Sequence, residues 1–256
     1  MVDLAILIYP LLFATGVAAG ALNAVAGGAT FFTFPALILS GLPPLVANAT
    51  NFVALVPSNF AALPAYRSEL NALGKALVAP LAVGGAGGLL GALALVGLGG
   101  DLFATAVPYL MGCATFIFAA APRIRRSLER RSRPPEAGGG LGALLLLFAF
   151  SVYGGYFGAG LGQIVLAALV LAGYDDFHVA NALKNGVIAA ISLPCLAVYG
   201  FSGAVSLPHA IAMMLGAAIG GYLGGAVSKR LPQKALRTAV IVFGAFLTVY
   251  YFVSAP

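Results

Sequence analysis

Between Leu4 and Ala121 the only charged side chains are Arg67, Glu69, Lys75 and Asp101, and between Leu141 and Ser228 only Asp175, Asp176 and Lys184. A water-soluble domain needs a polar shell, and about a quarter of its residues carry charge. Here the charged share is 8% against 61% hydrophobic, and seven acids with thirteen bases cannot cover a globule of 256 residues. A soluble enzyme is therefore excluded, and the expected class is an all-α polytopic membrane protein. The net charge of +6 sits in a few short segments between apolar stretches, which reads as membrane topology and not as a nucleic-acid surface. Cys113 and Cys195 lie far apart, and no CxxC or Cys/His cluster supports a metal, a disulfide or another cofactor. No Lys or Arg precedes the first apolar run, so that run is expected to stay in the fold as a span.

Turn residues and charges divide the chain into apolar segments 4–26, 29–42, 44–64, 76–98 and 102–121, then 141–158, 160–173, 179–200, 207–228 and 235–253. At about 1.5 Å per residue, segments 29–42 and 160–173 reach only about 21 Å of a hydrocarbon core about 30 Å thick. They read as broken or re-entrant elements. If each segment changes sides and the arginine-rich linker 122–136 is cytoplasmic, then Arg67, Lys75, the six arginines of 123–133, Lys229, Arg230 and Lys234 all fall inside. The outer side receives Asp3 and Asp101 and no Lys or Arg, and both termini lie outside. Merging 141–173 into one crossing would put the 229–237 cluster outside and is rejected for that reason. Contact of the linker with anionic headgroups makes membrane lipid an expected partner.

The two halves match at an offset of 132–133 residues. Val46-Ala47-Asn48-Ala49-Thr50-Asn51 aligns with Val179-Ala180-Asn181-Ala182-Leu183-Lys184, and Thr105-Ala106-Val107 with Thr238-Ala239-Val240. Glycine-rich stretches align too: Gly16 to Gly28 with Gly154 to Gly160, and Gly84 to Gly88 with Gly216 to Gly220. Five side-changing segments per half is an odd number, so the second repeat (141–256) enters inverted relative to the first (1–121), with 122–140 as the basic linker. Inverted repeats with short, glycine-interrupted segments at matching places are a plan of secondary transporters.

Gly20-Ala21-Leu22-Asn23-Ala24-Val25-Ala26-Gly27-Gly28, Phe34-Pro35-Ala36-Leu37, Gly41 and Ala47-Asn48-Ala49-Thr50-Asn51 together resemble the first signature of the TauE/SafE sulfite-exporter family. Gly154-Gly155-Tyr156-Phe157-Gly158-Ala159-Gly160-Leu161-Gly162, with Gly173 and Ala180-Asn181-Ala182, resembles the second. Ala29-Thr30 departs from the pattern, where the family often continues with glycine. The resemblance implies a permease of the bacterial inner membrane for sulfur-containing anions such as sulfite, sulfoacetate or related sulfonates.

Substrate-binding candidates follow from the chemistry of a dehydrated anion, expected near the midplane between the two repeats, between residues 23–51 and 158–185. Gly27, Gly28, Gly158, Gly160 and Gly162 let backbone N–H groups approach closely and precede the short segments, so half-helix N-termini could face the anion. Asn48 and Asn51 (i, i+3), and Asn181, Lys184 and Asn185 (i, i+3, i+4), each share one helix face and supply N–H donors. Asn23 and Gln163 flank the glycine breaks. For these asparagines the structural alternative is interhelical hydrogen bonding, and for Lys184 it is snorkelling towards Asp175 or Asp176. Gly84 to Gly91 and Gly216 to Gly225 read as close-packing surfaces. An intramembrane protease built on Gly200-Phe201-Ser202-Gly203 with His209 ranks far below, as does a non-transporting membrane scaffold, while a channel of the same architecture stays open, as does a homo-oligomer.

Overall fold

In the computed structural model the described residues are 2–25, 28–61, 63–129, 140–174, 176–227 and 233–254, and among them the chain forms helices and no strand. The helices are α1 (Val2–Val25), α2 (Thr30–Leu39), α3 (Pro44–Ala61), α4 (Arg67–Leu73), α5 (Val78–Leu98), α6 (Gly100–Glu129), α7 (Leu141–Tyr156), α8 (Leu161–Leu171), α9 (Phe177–Phe201), α10 (Leu207–Val227) and α11 (Gln233–Ser254). All but α4 and the C-terminal end of α6 follow the apolar segments to within a few residues. The stretch around Arg67, expected as a loop, instead coils as α4 between two short 3-10 turns, Leu63–Tyr66 and Gly74–Leu77. α6 likewise runs eight residues past the hydropathy boundary at Ala121, to Glu129. Arg, Ser, Leu and Glu sustain a helix, so hydropathy marks the membrane edge and not the helix end. The remainder of the linker, 130–139, lies outside the described residues, as do Lys229 and Arg230.

α2 and α8 have 10 and 11 residues, or about 16 Å of helix, half the hydrocarbon thickness. Glycines in the left-handed region set their ends. Gly28 (φ 87°) and Gly160 (φ 71°) precede them, and Gly41 (φ 94°) and Gly173 (φ 90°) close them. The closing turns are the same in both repeats: Leu42 N–H donates to Leu37 O and Tyr174 N–H to Leu169 O, six-residue loops that satisfy the last carbonyls.

Contacts give the helix directions. Gly16 lies against Met213 and Ala217, and Gly20 against Ala217 and Gly221, so α1 and α10 run parallel. Gly87 meets Phe148 and Ser151 while Gly91 meets Val152 and Tyr156, and Gly84 meets Val187 while Gly88 meets Ile191; α5 is parallel to both α7 and α9. α3 runs with α10, through Thr50 to Ser206 and Ser58 to Gly221. It runs against α9, through Phe52 to Tyr199 and Asn59 to Ser192. α6 and α11 are antiparallel, through Tyr109 to Phe252 and Gly112 to Thr248. So α1 opposes its repeat counterpart α7, α3 opposes α9, α5 opposes α10 and α6 opposes α11.

The packing partners also exchange under the repeat: α1 with α10 becomes α7 with α5, α3 with α10 becomes α9 with α5, and α2 with α3 becomes α8 with α9. The Asn59 carboxamide donates to Ser192 Oγ across 3.2 Å, and these residues are 133 apart, the repeat offset. Equivalent positions touch there, which places the pseudo-two-fold axis at that contact. The two repeats are inverted and interlocked.

Glycine makes the interlock close. A Cβ at Gly216 or Gly220 would run into the α1 backbone at Phe13 O and Val17 O, and one at Gly91 or Gly155 into Val152 O and Gly88 O. Lipid-facing helices gain no hydrophobic drive from pairing, so backbone approach supplies the packing. The periphery is apolar, with Phe116 72%, Tyr222 82% and Phe201 93% exposed, as lipid contact requires. Stretches Arg67–Leu98, Gly100–Ala120 and His178–Phe201 are long and apolar enough to cross a membrane.

Candidate functional site

The two breaks meet at an aromatic pair. A Cβ on Gly28 would stand 3.3 Å from the Phe31 ring and 3.2 Å from the Phe118 ring, and one on Gly160 would stand 3.8 and 3.9 Å from the same two rings. Phe31 and Phe118 are buried and pack edge to face, with centroids 5.8 Å apart. Arg237 holds Phe118 from α11, donating to its carbonyl oxygen with the guanidinium 5.2 Å from the ring centroid. Gly27 lies outside the described residues. On the α7 side the Tyr153 hydroxyl donates to Ala159 O at 2.8 Å and ties the break down. Neither short helix has a side-chain N-cap, whereas Asp176 caps α9 by accepting from the His178 and Val179 N–H groups. Those two bonds, the Val179 bond first, hold the Asp176 carboxyl below its usual 3.8.

The polar candidates separate into two sets. Asn48 and Asn51 are 0% and 2% exposed. Asn48 donates to Tyr156 O, the last carbonyl of α7, at 3.0 Å; Asn51 donates to Thr30 Oγ1, at the first residue of α2, at 3.4 Å. Each carboxamide therefore joins α3 to one break. Both Oδ1 atoms are buried without a partner among the described residues. Asn23 reaches Ser58 Oγ at 3.5 Å beside the pseudo-two-fold contact.

Asn181 and Lys184, the repeat counterparts of Asn48 and Asn51, form the second set. Lys184 Nζ donates to Asn181 Oδ1 at 2.6 Å, and Asn181 Nδ2 donates to the Tyr66 hydroxyl at 2.6 Å. An ammonium only donates, so the Asn181 amide orientation is fixed. Lys184 is half-buried, and no carboxylate pairs with it among the described residues. Asp175 lies outside them, and Asp176 is engaged as the cap of α9. A Cβ on Gly162, in the first turn of α8, would stand 3.9 Å from Ile188 Cδ1. Ile188 is one turn beyond Lys184 on α9, whereas the ammonium turns the other way along that helix, onto Asn181. Gln163, in that first turn, is engaged in an interaction of its own, and Asn185 is half-buried beside Lys184.

The antiparallel α3–α9 pair keeps the two sets apart. Asn48 and Asn181 are each eleven residues from the Asn59–Ser192 contact on opposite sides, about 33 Å from one another along the helices. The structure thus brings the glycine breaks together and places Asn48 and Asn51 at one end, Asn181, Lys184 and Asn185 at the other. Sequence reasoning missed Thr30, Tyr66, Phe31 and Phe118. Thr30 had a signal, being the residue where the glycine signature departs, but Tyr66 falls in a stretch that hydropathy assigns to a loop. The remaining alternative loses its dyad: Ser202 Oγ donates to Tyr199 O at 2.9 Å, and His209 pairs with Ser206 at 2.7 Å instead.

A family model described as sulfite exporter TauE/SafE matches residues 12–251. The chain is 27% identical to a probable membrane transporter protein, ORF9, of Sinorhizobium sp, over 97% of this chain and 94% of that one. It is 26% identical to a probable membrane transporter protein of Haemophilus influenzae, covering 96% and 95%. To the probable membrane transporter protein YfcA of Escherichia coli K12 it is 25% identical, covering 94% and 88%. No solved structure matches the chain.

Proposed function

The chain belongs to the TauE/SafE sulfite exporter family and is a multi-pass membrane transporter; from that premise we propose that it carries small sulfur-containing anions such as sulfite, sulfoacetate or other organosulfonates. The observation that carries the anion reading is Lys184, a half-buried ammonium in an apolar helix whose hydrogen bond among the described residues goes to the neutral Asn181. Among the described residues Asn181 engages one of its three donors. A cation in an apolar segment is costly unless it serves a cavity or a partner, and a desolvated sulfonate oxygen meets both its charge and its donors. Tyr66 and Asn181 hold the ammonium in place, and Asn185 lies on the same face.

In this reading the anion reaches Lys184 from the cytoplasm, with linker 122–136 on that side, both termini outside, and the bacterial cell membrane as the location. An inside-negative potential favours anion exit by about 2.3 kcal/mol per charge per 100 mV, so export needs no further energy source. The Phe31 and Phe118 rings fill the space between the two breaks, which favours a carrier that must rearrange over an open channel. The test is counterflow in proteoliposomes loaded with unlabelled sulfoacetate, sulfite, taurine or chloride, with labelled sulfoacetate outside. Accumulation with sulfoacetate or sulfite inside, and none with chloride, is expected. No accumulation under any loading by folded, inserted protein would sink the sulfur-anion reading.

A further inference from the structure

The Phe118 carbonyl sits inside α6, yet the residue four places on is Pro122. Proline has no N–H, so this oxygen lacks its normal helical donor. Phe118 is buried, and a buried carbonyl without a donor is costly enough that native structures fill it. The donor here is the Arg237 guanidinium of α11, which also lies over the Phe118 ring, 5.2 Å from its centroid.

An arginine in the first turns of a span ordinarily snorkels, with its fork among the headgroups. Arg237 instead turns onto a neutral carbonyl and an aromatic face, and no carboxylate pairs with it among the described residues. Both contacts fall on one residue, and that residue is half of the aromatic pair at the breaks. A Cβ on Gly28 or on Gly160 would meet both rings. The α11 face that carries Arg237 leads to the same place: Val240 stands against Gly28, and Gly244 against Phe31. Arg237, Val240 and Gly244 are spaced i, i+3, i+7, one side of a helix. The repeat supplies no second guanidinium, since Ala104 is the residue that matches Arg237.

We propose that Arg237 is a positioning residue for transport: by donating to the carbonyl that Pro122 leaves free, it fixes the Phe118 ring between the two breaks and keeps the aromatic plug shut. It acts through Phe118 and not on the substrate. The ring and the latched oxygen belong to one residue, so removing the guanidinium frees both, and the rings part more readily. This rests on the carrier reading, in which the rings must separate for passage, and not on which anion is carried.

Labelling of the purified full-length protein with a charged methanethiosulfonate, without any anion substrate, tests this separately from sulfonate transport. The reporter is Val240→Cys, buried against Gly28, in a chain that also carries Cys113→Ser. Native Cys195, buried in α9 and bonded to Gly88 O of α5, is the internal control. Arg237→Met should raise the labelling rate of the reporter about tenfold, the factor that one hydrogen bond from a charged donor supplies, and leave Cys195 unchanged. In a Pro122→Ala background, where residue 122 supplies the missing N–H, the same substitution should raise it about threefold or less. No rise at the reporter overturns the proposal, and so does an equal rise at Cys195, which would mean a general loosening. A rise of the same size in the Pro122→Ala background overturns the role of the freed carbonyl. Arg237→Gln, which keeps a donor without the charge, decides by the same comparisons if Arg237→Met fails to fold.

Discussion

Lys184 carries a sharper expectation than any other single residue. With Asn181 as its one described hydrogen-bond partner, Lys184→Ala removes the charge and that bond. The half-saturation concentration for anion counterflow should rise at least about tenfold, a loss of about 1.4 kcal/mol, while Lys184→Arg keeps part of the affinity. Tyr66→Phe removes the acceptor of Asn181 Nδ2 and should cost less, about fivefold, since one neutral hydrogen bond is worth about 1 kcal/mol. Unchanged transport in folded Lys184→Ala would reduce the residue to a snorkelling side chain. Asp176 tests a different quantity. Folding lowers its pKa, so the stability it contributes is present above the ordinary carboxylate range and is lost as pH falls through the lower folded value. The gap in thermal midpoint between wild type and Asp176→Ala should be open at pH 7 and should narrow as the pH falls below the ordinary carboxylate range.

At the scale of helices, the small-residue surfaces decide whether elements can approach. Gly91 sits against Val152 O and the Tyr156 backbone, whereas Gly97, in the same helix, has nothing within 4 Å of its would-be Cβ. Gly91→Ala forces backbone apart and should destabilise by about 1–3 kcal/mol or more. Gly97→Ala should be neutral or stabilise by up to about 1 kcal/mol, because alanine loses less backbone entropy in a helix. Thermal unfolding of both variants in one detergent makes the comparison; equal midpoints would contradict the backbone contact at Gly91. Much of this level was legible in the sequence. Hydropathy located the ten apolar helices, and the two short ones, because the spacing of charges and glycines is local information. The function of the asparagines was not legible. Asn48 and Asn181 occupy equivalent registers, yet one ties α3 to the end of α7 and the other orients a lysine. That difference depends on which helix lies opposite, a non-local fact. The meeting of Gly28 and Gly160 at Phe31 and Phe118 is hidden for the same reason.

The whole molecule follows from how the repeats interlock. A two-domain reading, 1–121 and 141–256 joined by a linker, would let each half hold its own core. The packing favours another outcome, because α1 finds its backbone-close partner in α10 and α7 finds its own in α5, so each glycine surface is completed by the other half. Halves expressed alone would expose Gly16 and Gly20, or Gly216 and Gly220, to lipid without a partner. Each half by itself should therefore be degraded or aggregate, while co-expressed halves lacking residues 122–140 should recover a complex that purifies together. In that complex Asn59→Cys and Ser192→Cys, placed where the native side chains are 3.2 Å apart, should form a disulfide between the two fragments on mild oxidation. A stable, monodisperse N-terminal half would show that the repeats are independent domains. Co-purification without the cross-link would show that the halves associate in some other register, and the inverted arrangement about the Asn59–Ser192 contact would then fail.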